Sequence, residues 1–241
     1  MLLAGLLLSA QPARAGHPML SEDTGTQGAR NFELELGYDW SRLDGVHSFL
    51  FQPQFSYGTS AAFDLIVQPS WLRGTDSSGN LTQGLGDTNL DFKWRFFGAA
   101  PLTLGIRAGL ELPTAQNALG LPPGRLGAHG ILVATIDAAP WSFDLNAGYS
   151  RVTYFAAARS NLMHFSAAAQ YTVNEHLVLL IDTSVDSDPD PTEPTAMGVA
   201  LAGAIYTVHP GLDLDAGCRI RLDSGAPAQQ WLLGITYRGA F

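Results

Sequence analysis

Trp231-Leu-Leu-Gly-Ile-Thr-Tyr-Arg-Gly-Ala-Phe241, the last stretch of the sequence, alternates between two kinds of residue. Every second position from Trp231 to Phe241 is apolar, aromatic or glycine, and the intervening positions include Thr236 and Arg238. A period of two with apolar side chains on one face predicts a β-strand that turns this face toward an apolar medium. A strand of this kind needs partners, so the rest of the chain should contain more of them.

The same alternation recurs along the whole chain and predicts eleven further strands. Two of them are less regular, because residues 128–138 are apolar on both faces and residues 197–207 are rich in small residues, which leaves their register open. Twelve is an even number, as expected for an antiparallel outer-membrane barrel. The predicted strands cover residues 32–40, 49–57, 63–71, 89–96, 102–112, 128–138, 141–150, 164–171, 177–184, 197–207, 212–222 and 231–241.

The predicted connections are alternately tight and long. Short periplasmic turns and longer outer loops are the expected asymmetry of an outer-membrane barrel. The tight connections are residues 57–61, 97–101, 137–140, 173–176 and 208–211, and the longer ones are 41–47, 73–86, 113–127, 151–161, 185–196 and 223–228.

The apolar face of these strands is predicted to be the outer, lipid-facing one. In the seven most regular strands the apolar register contains no Asp, Glu, Lys or Arg, whereas the opposite register is rich in them. A soluble barrel of this size would have to fill a wide interior with the apolar set, which side chains cannot pack. The tryptophans fall into two predicted girdles, one at the outer strand ends and one at the periplasmic ends. They are Trp40, Trp71 and Trp231 in the outer girdle, and Trp94 and Trp141 in the periplasmic one. The predicted fold class is therefore all-β, a closed antiparallel transmembrane β-barrel of about 12 strands.

The start of the sequence predicts export. Residues 1–15 contain a short leucine-rich run followed by Ala13-Arg14-Ala15, a small-x-small cleavage motif. A transmembrane helix is excluded for this stretch because a helical span needs about 20 apolar residues. The expected organisation is a signal peptide over residues 1–15, a polar segment over residues 16–30 and a barrel over residues 31–241.

Composition excludes several classes of function. The formal net charge of −9, with 13 Lys and Arg against 22 Asp and Glu, argues against nucleic acid as a partner. Cys218 is the single cysteine, so the chain has no disulfide framework, and its place on an apolar strand face favours a packing role. We expect no cofactor, no metal site and a location in the bacterial outer membrane.

Three motifs resemble a known family, the outer-membrane transporters grouped under the label "MetA-pathway of phenol degradation". They are His17-Pro-Met-Leu-Ser-Glu-Asp-Thr-Gly-Thr-Gln-Gly28, Gly84-Leu-Gly-Asp-Thr-Asn-Leu-Asp-Phe-Lys-Trp-Arg-Phe96, and Leu112-Pro-Thr together with the later Gly-Leu-Pro-Pro-Gly-Arg-Leu-Gly127. The terminal aromatic, Phe241, is similar to the C-terminal residue by which the assembly machinery reads outer-membrane barrels. The resemblance implies an exported barrel that passes small solutes, with hydrophobic or aromatic compounds as candidates.

Charged side chains on the lumen register are the candidates for lining a pore. Acids and bases on different sectors of the wall would set a transverse field that selects ions and orients dipolar solutes. The alternative is that these charges pair across neighbouring strands and fill a small lumen. The candidates are Glu33, Glu35, Asp39, Asp64, Asp91, Lys93, Arg95, Arg107, Glu111, Arg219 and Arg221.

The polar N-terminal stretch has two interpretations. It could fold into the lumen as a partial plug, with His17, Glu22 and Asp23 meeting interior charges, or remain a flexible periplasmic leader. At the seam between first and last strands, the alternation makes Arg238 a candidate partner for Glu33.

Two further features of the sequence resemble chemical sites. The acidic loop at residues 185–196 offers oxygen ligands, but it lacks the spacing of an ordered Ca²⁺ site, and a solvated loop is favoured. His164 and Ser166 share one strand face, yet residues two apart lie about 7 Å from each other along a strand, which predicts no direct contact. The sequence therefore favours a channel over two alternatives, a sealed structural or adhesive barrel and a lipid-acting enzyme.

Overall fold

The computed structural model describes residues 16–43, 46–75, 79–115, 126–151, 159–187, 196–222 and 229–241. The predicted signal peptide, residues 1–15, lies outside the described residues, and so do residues 188–195 of the acidic loop. Within the described parts of the chain, no helix is long and apolar enough to cross a membrane.

The chain forms one antiparallel sheet that closes on itself. Closure is made by the first and last strands, which pair from Asn31↔Ala240 to Arg42↔Gln229. The sheet order otherwise follows the chain, apart from the β3–β6 region described next. The strands are β1 (Asn31–Leu43), β2 (Val46–Ser60), β3 (Phe63–Gln68), β4 (Trp71–Thr75), β5 (Leu81–Leu85), β6 (Thr88–Ala99), β7 (Leu102–Leu112), β8 (Gly127–Ala138), β9 (Trp141–Arg151), β10 (Asn161–Thr172), β11 (Leu177–Ser187), β12 (Ala196–His209), β13 (Leu212–Arg221) and β14 (Gln229–Ala240).

These fourteen segments make twelve barrel strands, as predicted. β3 and β4 both pair with β2 and together form one barrel strand. β6 pairs with β3 and β5 pairs with β4, so β5 and β6 together form the next barrel strand. Each of these two barrel strands is therefore interrupted once. The interruption lies where Pro53 of β2 faces Pro69, and neither residue has a backbone N–H to donate. Across the gap, the Gly86 amide donates to the Ser70 carbonyl over 2.9 Å.

Two predicted outer loops are shorter than the sequence suggested. The predicted link 73–86 is wrong in extent, because β4 runs to Thr75 and β5 begins at Leu81, with the two paired. The predicted link 41–47 is also wrong, because β1 and β2 stay paired up to Leu43↔Val46. Polar residues at the outer strand ends hid these pairings from a search for apolar alternation, although backbone pairing needs no apolar face.

Side-chain exposure shows which face of the wall is which. In β14, Leu232 is 1% exposed and Leu233 is 59% exposed, so the alternating apolar set that defined the strand lies on the outside. The five predicted tight connections all lie at the barrel end where Asn31 and Ala240 meet, which marks this end as periplasmic. At that end the ring of Phe241 packs on Phe32 with centroids 4.8 Å apart.

The two open registers are resolved, and both place apolar side chains inside. In β8, Val133 is buried in the lumen while Leu132 faces outward, and in β12 Leu201 and Ile205 are buried. Leu201 and Ile205 join two further inward leucines in a small apolar cluster on one side of the lumen. We call this cluster the apolar wall patch; its members are Leu180, Leu201, Ile205 and Leu232.

Candidate functional site in the barrel lumen

Residues 16–30, here called the N-terminal segment, lie inside the barrel. Traced from residue 30 back to residue 16, the segment makes one turn around the lumen. It starts beside β2 and β3, passes β6 to β11, and returns to β1. It contacts each of the twelve barrel strands. Because these contacts come from all sides, the segment borders the lumen around its whole circumference at this level.

Backbone amides of the segment are bound by polar side chains of the wall. The amide of Gln27 donates to Asp64 over 3.0 Å, and the amide of Thr24 donates to the Thr135 hydroxyl over 3.0 Å. Glu22 and Asn146 exchange two hydrogen bonds, of 2.6 Å to the Glu22 amide and 2.8 Å to its carbonyl. Wall side chains thus replace the backbone partners that an isolated strand lacks.

Asp182 on β11 holds the middle of the segment. Its Oδ2 accepts from the amides of Leu20 and Ser21, both over 2.7 Å, and its Oδ1 is 2.8 Å from the Ser21 hydroxyl oxygen. Met19 and Leu20 pack against the apolar wall patch. The inward-facing leucines of this patch therefore pack against the segment.

His17 is held by two carboxylates near the seam. Its Nδ1 lies 2.5 Å from Asp215 and its Nε2 lies 3.3 Å from Asp39. Burial favours the neutral ring, but the hydrogen bonds to Asp215 and Asp39 outweigh it and raise the pKa of His17 to about 9. The imidazole is therefore a cation at neutral pH.

Glycines in the wall leave room for His17 and Pro18. A Cβ at Gly234 would lie 2.5 Å from His17 Nδ1, and a Cβ at Gly203 would lie 3.2 Å from the Pro18 ring. At Gly234 a side chain would therefore displace the imidazole, which explains a glycine in the middle of a strand.

A buried charge cluster joins the segment to the opposite wall. Lys93 Nζ lies 2.7 Å from Glu22 and 2.8 Å from Asp23, and Arg107 lies 2.6 Å from Glu22 and 2.8 Å from Asp91. The two cations draw the pKa of Glu22 down to about 2 against the opposing effect of its burial. Lys93 is the only lysine of the chain, and both of its carboxylate partners belong to the segment.

Arg238 closes the seam below this cluster. It donates to Glu33 over 2.7 Å and to Asp213 over 2.7 Å, which confirms the predicted contact between first and last strands. Gln27 of the segment donates to the same carboxylate of Glu33 over 2.8 Å. Glu33 therefore holds the seam and the segment together.

Above the segment, a cavity of about 780 Å³ faces the outer end of the barrel. We call it the outer vestibule. Residues 16–22 form its floor, and polar and apolar side chains of β1 to β11 and of β13 line its wall. The segment therefore lies between this vestibule and the periplasmic end.

The predicted lumen residues divide into three groups. Residues 33, 64 and 93 and the three N-terminal candidates 17, 22 and 23 take part in the contacts of the segment. Residues 35, 39, 91, 107, 111 and 219 line the vestibule, where Glu35, Asp39 and Arg107 also contact the segment, and Arg221 lies further out on the face of Arg219. Arg95 is the exception, because its guanidinium donates to the Ala61 carbonyl over 2.7 Å at the periplasmic rim.

The predicted separation of His164 and Ser166 is wrong. His164 Nε2 lies 3.0 Å from the Ser166 hydroxyl, and His164 Nδ1 lies 2.6 Å from Asp186. The imidazole bends along the strand and spans a distance that the Cα spacing alone does not allow. The Ser166 hydroxyl is buried beneath the segment, where the Ser21 hydroxyl donates to it over 2.9 Å.

Several site residues escaped the sequence analysis. Asp182, Asn146 and Thr135 bind backbone amides, and nothing in a strand pattern distinguishes such residues from other lumen-facing polar ones. Gly203 and Gly234 did carry a signal, since each is a glycine within a strand where the lumen register expects a side chain. Among the described residues, no group of three or more His, Cys, Asp or Glu is arranged to hold a metal ion.

A closed twelve-stranded barrel with an apolar outer wall and a polar lumen defines a transmembrane β-barrel of the bacterial outer membrane. The family profile described as "Putative MetA-pathway of phenol degradation" matches residues 20–239. The chain belongs to this family.

The solved structures that this fold resembles include outer-membrane channels. An outer membrane channel from Pseudomonas putida F1 superposes with a TM-score of 0.68 at 15% identity, covering 91% of this chain and 98% of the other. The NanC porin gives a TM-score of 0.63 at 10% identity, covering 86% and 98%, and the KdgM porin gives 0.59 at 9% identity, covering 84% and 98%. The comparison with curated protein sequences found no match. At these identities the likeness establishes the fold and, with it, the outer membrane as the location.

Proposed function

We propose that the protein is a gated outer-membrane channel for small neutral and cationic solutes, whose lumen is closed by the N-terminal segment. The observation that carries this proposal is the full turn of the segment around the lumen, with contacts to every barrel strand. Passage then requires the segment to move, and the polar, hydrogen-bonded nature of its contacts suits a reversible plug better than a permanent core.

The charge of the outer vestibule supports the solute class. Seven carboxylates line the cavity, whereas only two arginines do, and three histidines complete the set of titratable side chains. Glu111 has no hydrogen-bond or ion-pair partner among the described residues. A lumen with an excess of carboxylates favours cations and repels anions. The carboxylates are Glu22, Glu35, Asp39, Asp87, Asp91, Glu111 and Asp186, and the arginines are Arg107 and Arg219.

Aromatic and other hydrophobic compounds are included in the proposal. The family description refers to phenol degradation, and the vestibule carries apolar surface among its polar groups. Tyr149, Leu162 and Met163 contribute apolar atoms on one side of its mouth. An uncharged aromatic solute therefore finds both packing surface and hydrogen-bonding groups in the vestibule.

Reversal potentials in planar bilayers test the solute class. In a tenfold KCl gradient we expect open channels to be selective for K⁺ over Cl⁻, and we expect Glu111→Lys to lower this selectivity by at least about twofold because it reverses the charge of an unpaired group at the vestibule wall. The matched control is Glu175→Lys, the same change in the tight turn that precedes β11. Anion selectivity of the unaltered protein would contradict the proposal.

We propose that Ser166, His164 and Asp186 form a docking contact for the segment and are not catalytic. The Ser166 hydroxyl is buried and engaged by Ser21 and, over 3.3 Å, by the Asn146 side chain, so no substrate can approach it while the segment is docked. Covalent labelling of Ser166 by a fluorophosphonate would contradict this assignment and favour a lipid-acting enzyme. A sealed adhesive barrel would instead show no conductance under any condition.

We also propose that the last strand is read by the barrel-assembly machinery through Phe241. The exposed aromatic ring of Phe241 stands at the periplasmic rim beside Phe32 and Tyr57. Folding of Phe241→Ala into the outer membrane at the unaltered yield would argue against this role.

A further inference from the structure

Gly16, the first described residue, lies deep in the lumen. It lines the floor of the outer vestibule, and its carbonyl accepts a 2.8 Å hydrogen bond from the Met19 amide. The cleavage motif Ala13-Arg14-Ala15 directly precedes it. Cutting after Ala15 would therefore place a new chain terminus inside the barrel.

Glu35 lies beside this position and is a buried carboxylate without an ion-pair partner among the described residues. Glu35 is 5% exposed, and its two oxygens accept from the His17 amide over 3.0 Å and from the Gln54 side chain over 2.5 Å. Both donors are neutral. Among the described residues, no Lys, Arg or His forms an ion pair with Glu35, whereas the neighbouring Glu33 has Arg238. A buried carboxylate normally has a cationic partner.

The geometry brings the α-nitrogen of Gly16 within reach of Glu35. A Cβ built on Gly16 would lie 3.5 Å and 3.9 Å from the two carboxylate oxygens. The nitrogen is bonded to the same Cα, about 1.46 Å from it. As part of a peptide bond this nitrogen is neutral and held by the preceding residues, but as a chain terminus it would carry a charge and rotate freely.

We propose that removal of residues 1–15 creates the missing cation, and that the α-ammonium of Gly16 pairs with Glu35 to complete the docking of the segment. In the cleavage step an exported-protein peptidase adds water across the Ala15–Gly16 bond. Ala15 leaves with a carboxylate, and the Gly16 nitrogen takes up a proton. Processing therefore supplies a charge at the position where the docked segment lies beside Glu35. The inference rests on the proposed plug and adds that processing completes its docking.

Acylation of the α-amine tests the inference. The mature protein, purified from outer membranes, is first checked by mass spectrometry for a chain that begins at Gly16. It is then treated with an N-hydroxysuccinimide ester of acetic acid, and the modified N-terminal peptide is quantified over time. The single lysine, Lys93, lies far from Gly16 in the sequence, so quantifying the N-terminal peptide measures the α-amine alone. A raised pKa lowers the amount of reactive amine tenfold per unit. We therefore expect acylation of the folded protein to be at least about tenfold slower than that of Glu35→Gln or of the heat-unfolded chain.

The matched control is Glu111→Gln, which changes a vestibule carboxylate away from Gly16. The α-amine of this variant should react as slowly as that of the unaltered protein.

Conductance of the same samples separates the two proposals. A rapidly acylated amine in a closed channel would overturn the ammonium contact while leaving the plug in place, and so would a mature chain that begins elsewhere than Gly16. An unaltered protein that is already open would overturn the plug itself. Should Glu35→Gln fail to show heat-modifiable migration on gels, the comparison with the heat-unfolded chain decides alone.

Discussion

Deleting residues 16–28 is expected to raise the single-channel conductance at least about tenfold, because it removes the proposed plug at a level where the segment contacts every strand of the wall. The barrel itself should still form, since its closure depends on the pairing of β1 with β14 and on Arg238, none of which is removed. Planar-bilayer recordings of both proteins in the same salt measure the effect. Heat-modifiable migration on gels confirms that both are folded.

The control for this deletion keeps the segment and removes one peripheral contact. The Thr26 hydroxyl donates only to the exposed Ala61 carbonyl, so Thr26→Ala should leave the conductance unchanged. Equal conductance of the deletion and the unaltered protein would mean that solutes pass beside the segment, and the plug would be refuted.

Replacing Lys93 by Gln is expected to undock the segment without shortening the chain. The amide keeps much of the side-chain volume but leaves Asp23 without its cation, and removal of one partner from a buried pair destabilises by roughly 3–5 kcal/mol. This free energy is released when the segment leaves the lumen and its acids reach water. The open fraction of the channel should therefore rise by at least about a hundredfold, at the low end of that range.

Protease access gives an independent measure of the same change. In the docked segment Glu22 is bound by Lys93, Arg107 and Asn146, so a glutamate-specific protease should cut after Glu22 only in Lys93→Gln. Arg95→Gln is the matched control, because Arg95 is a cation of the same strand that contacts the rim and not the segment. Cleavage at the same rate in all three proteins would contradict the role of Lys93.

Most of the barrel could be predicted because its physics is local. Lipid requires an apolar outer face, and the side chains of a strand alternate between its two faces. These two requirements together produce the alternation seen from Trp231 to Phe241 in all twelve stretches. The same rule gave the contact of Glu33 with Arg238, since strand register fixes which residues face each other at the seam. It failed at β4 and β5, where pairing continues above the membrane and no lipid imposes the pattern.

The arrangement of the lumen could be predicted only in part. Charge on the inner register marked Lys93 and Arg107, but the segment that pairs with them is far away in the sequence and carries no periodicity. The inward-facing Leu180 and Leu232 belong to the cluster against which Met19 and Leu20 pack, a contact that no strand pattern encodes. His164 and Ser166 show a different limit of sequence-based prediction. The Cα spacing along the strand predicts no contact, but the rotation of the His164 side chain brings its ring within hydrogen-bond distance of the Ser166 hydroxyl.

A reversible disulfide between the segment and the wall tests the gating mechanism most directly. The hydroxyl oxygens of Ser21 and Ser166 are 2.9 Å apart, so cysteines at both positions can form a bond of about 2 Å with little movement. The variant carries Cys218→Ala, to remove the natural thiol, and Lys93→Gln, to favour the undocked state. The account predicts a closed channel after oxidation and large openings after reduction in the same bilayer, with no such change when Ser21→Cys is present without Ser166→Cys. Equal conductance before and after reduction would contradict the claim that this barrel opens by moving its N-terminal segment.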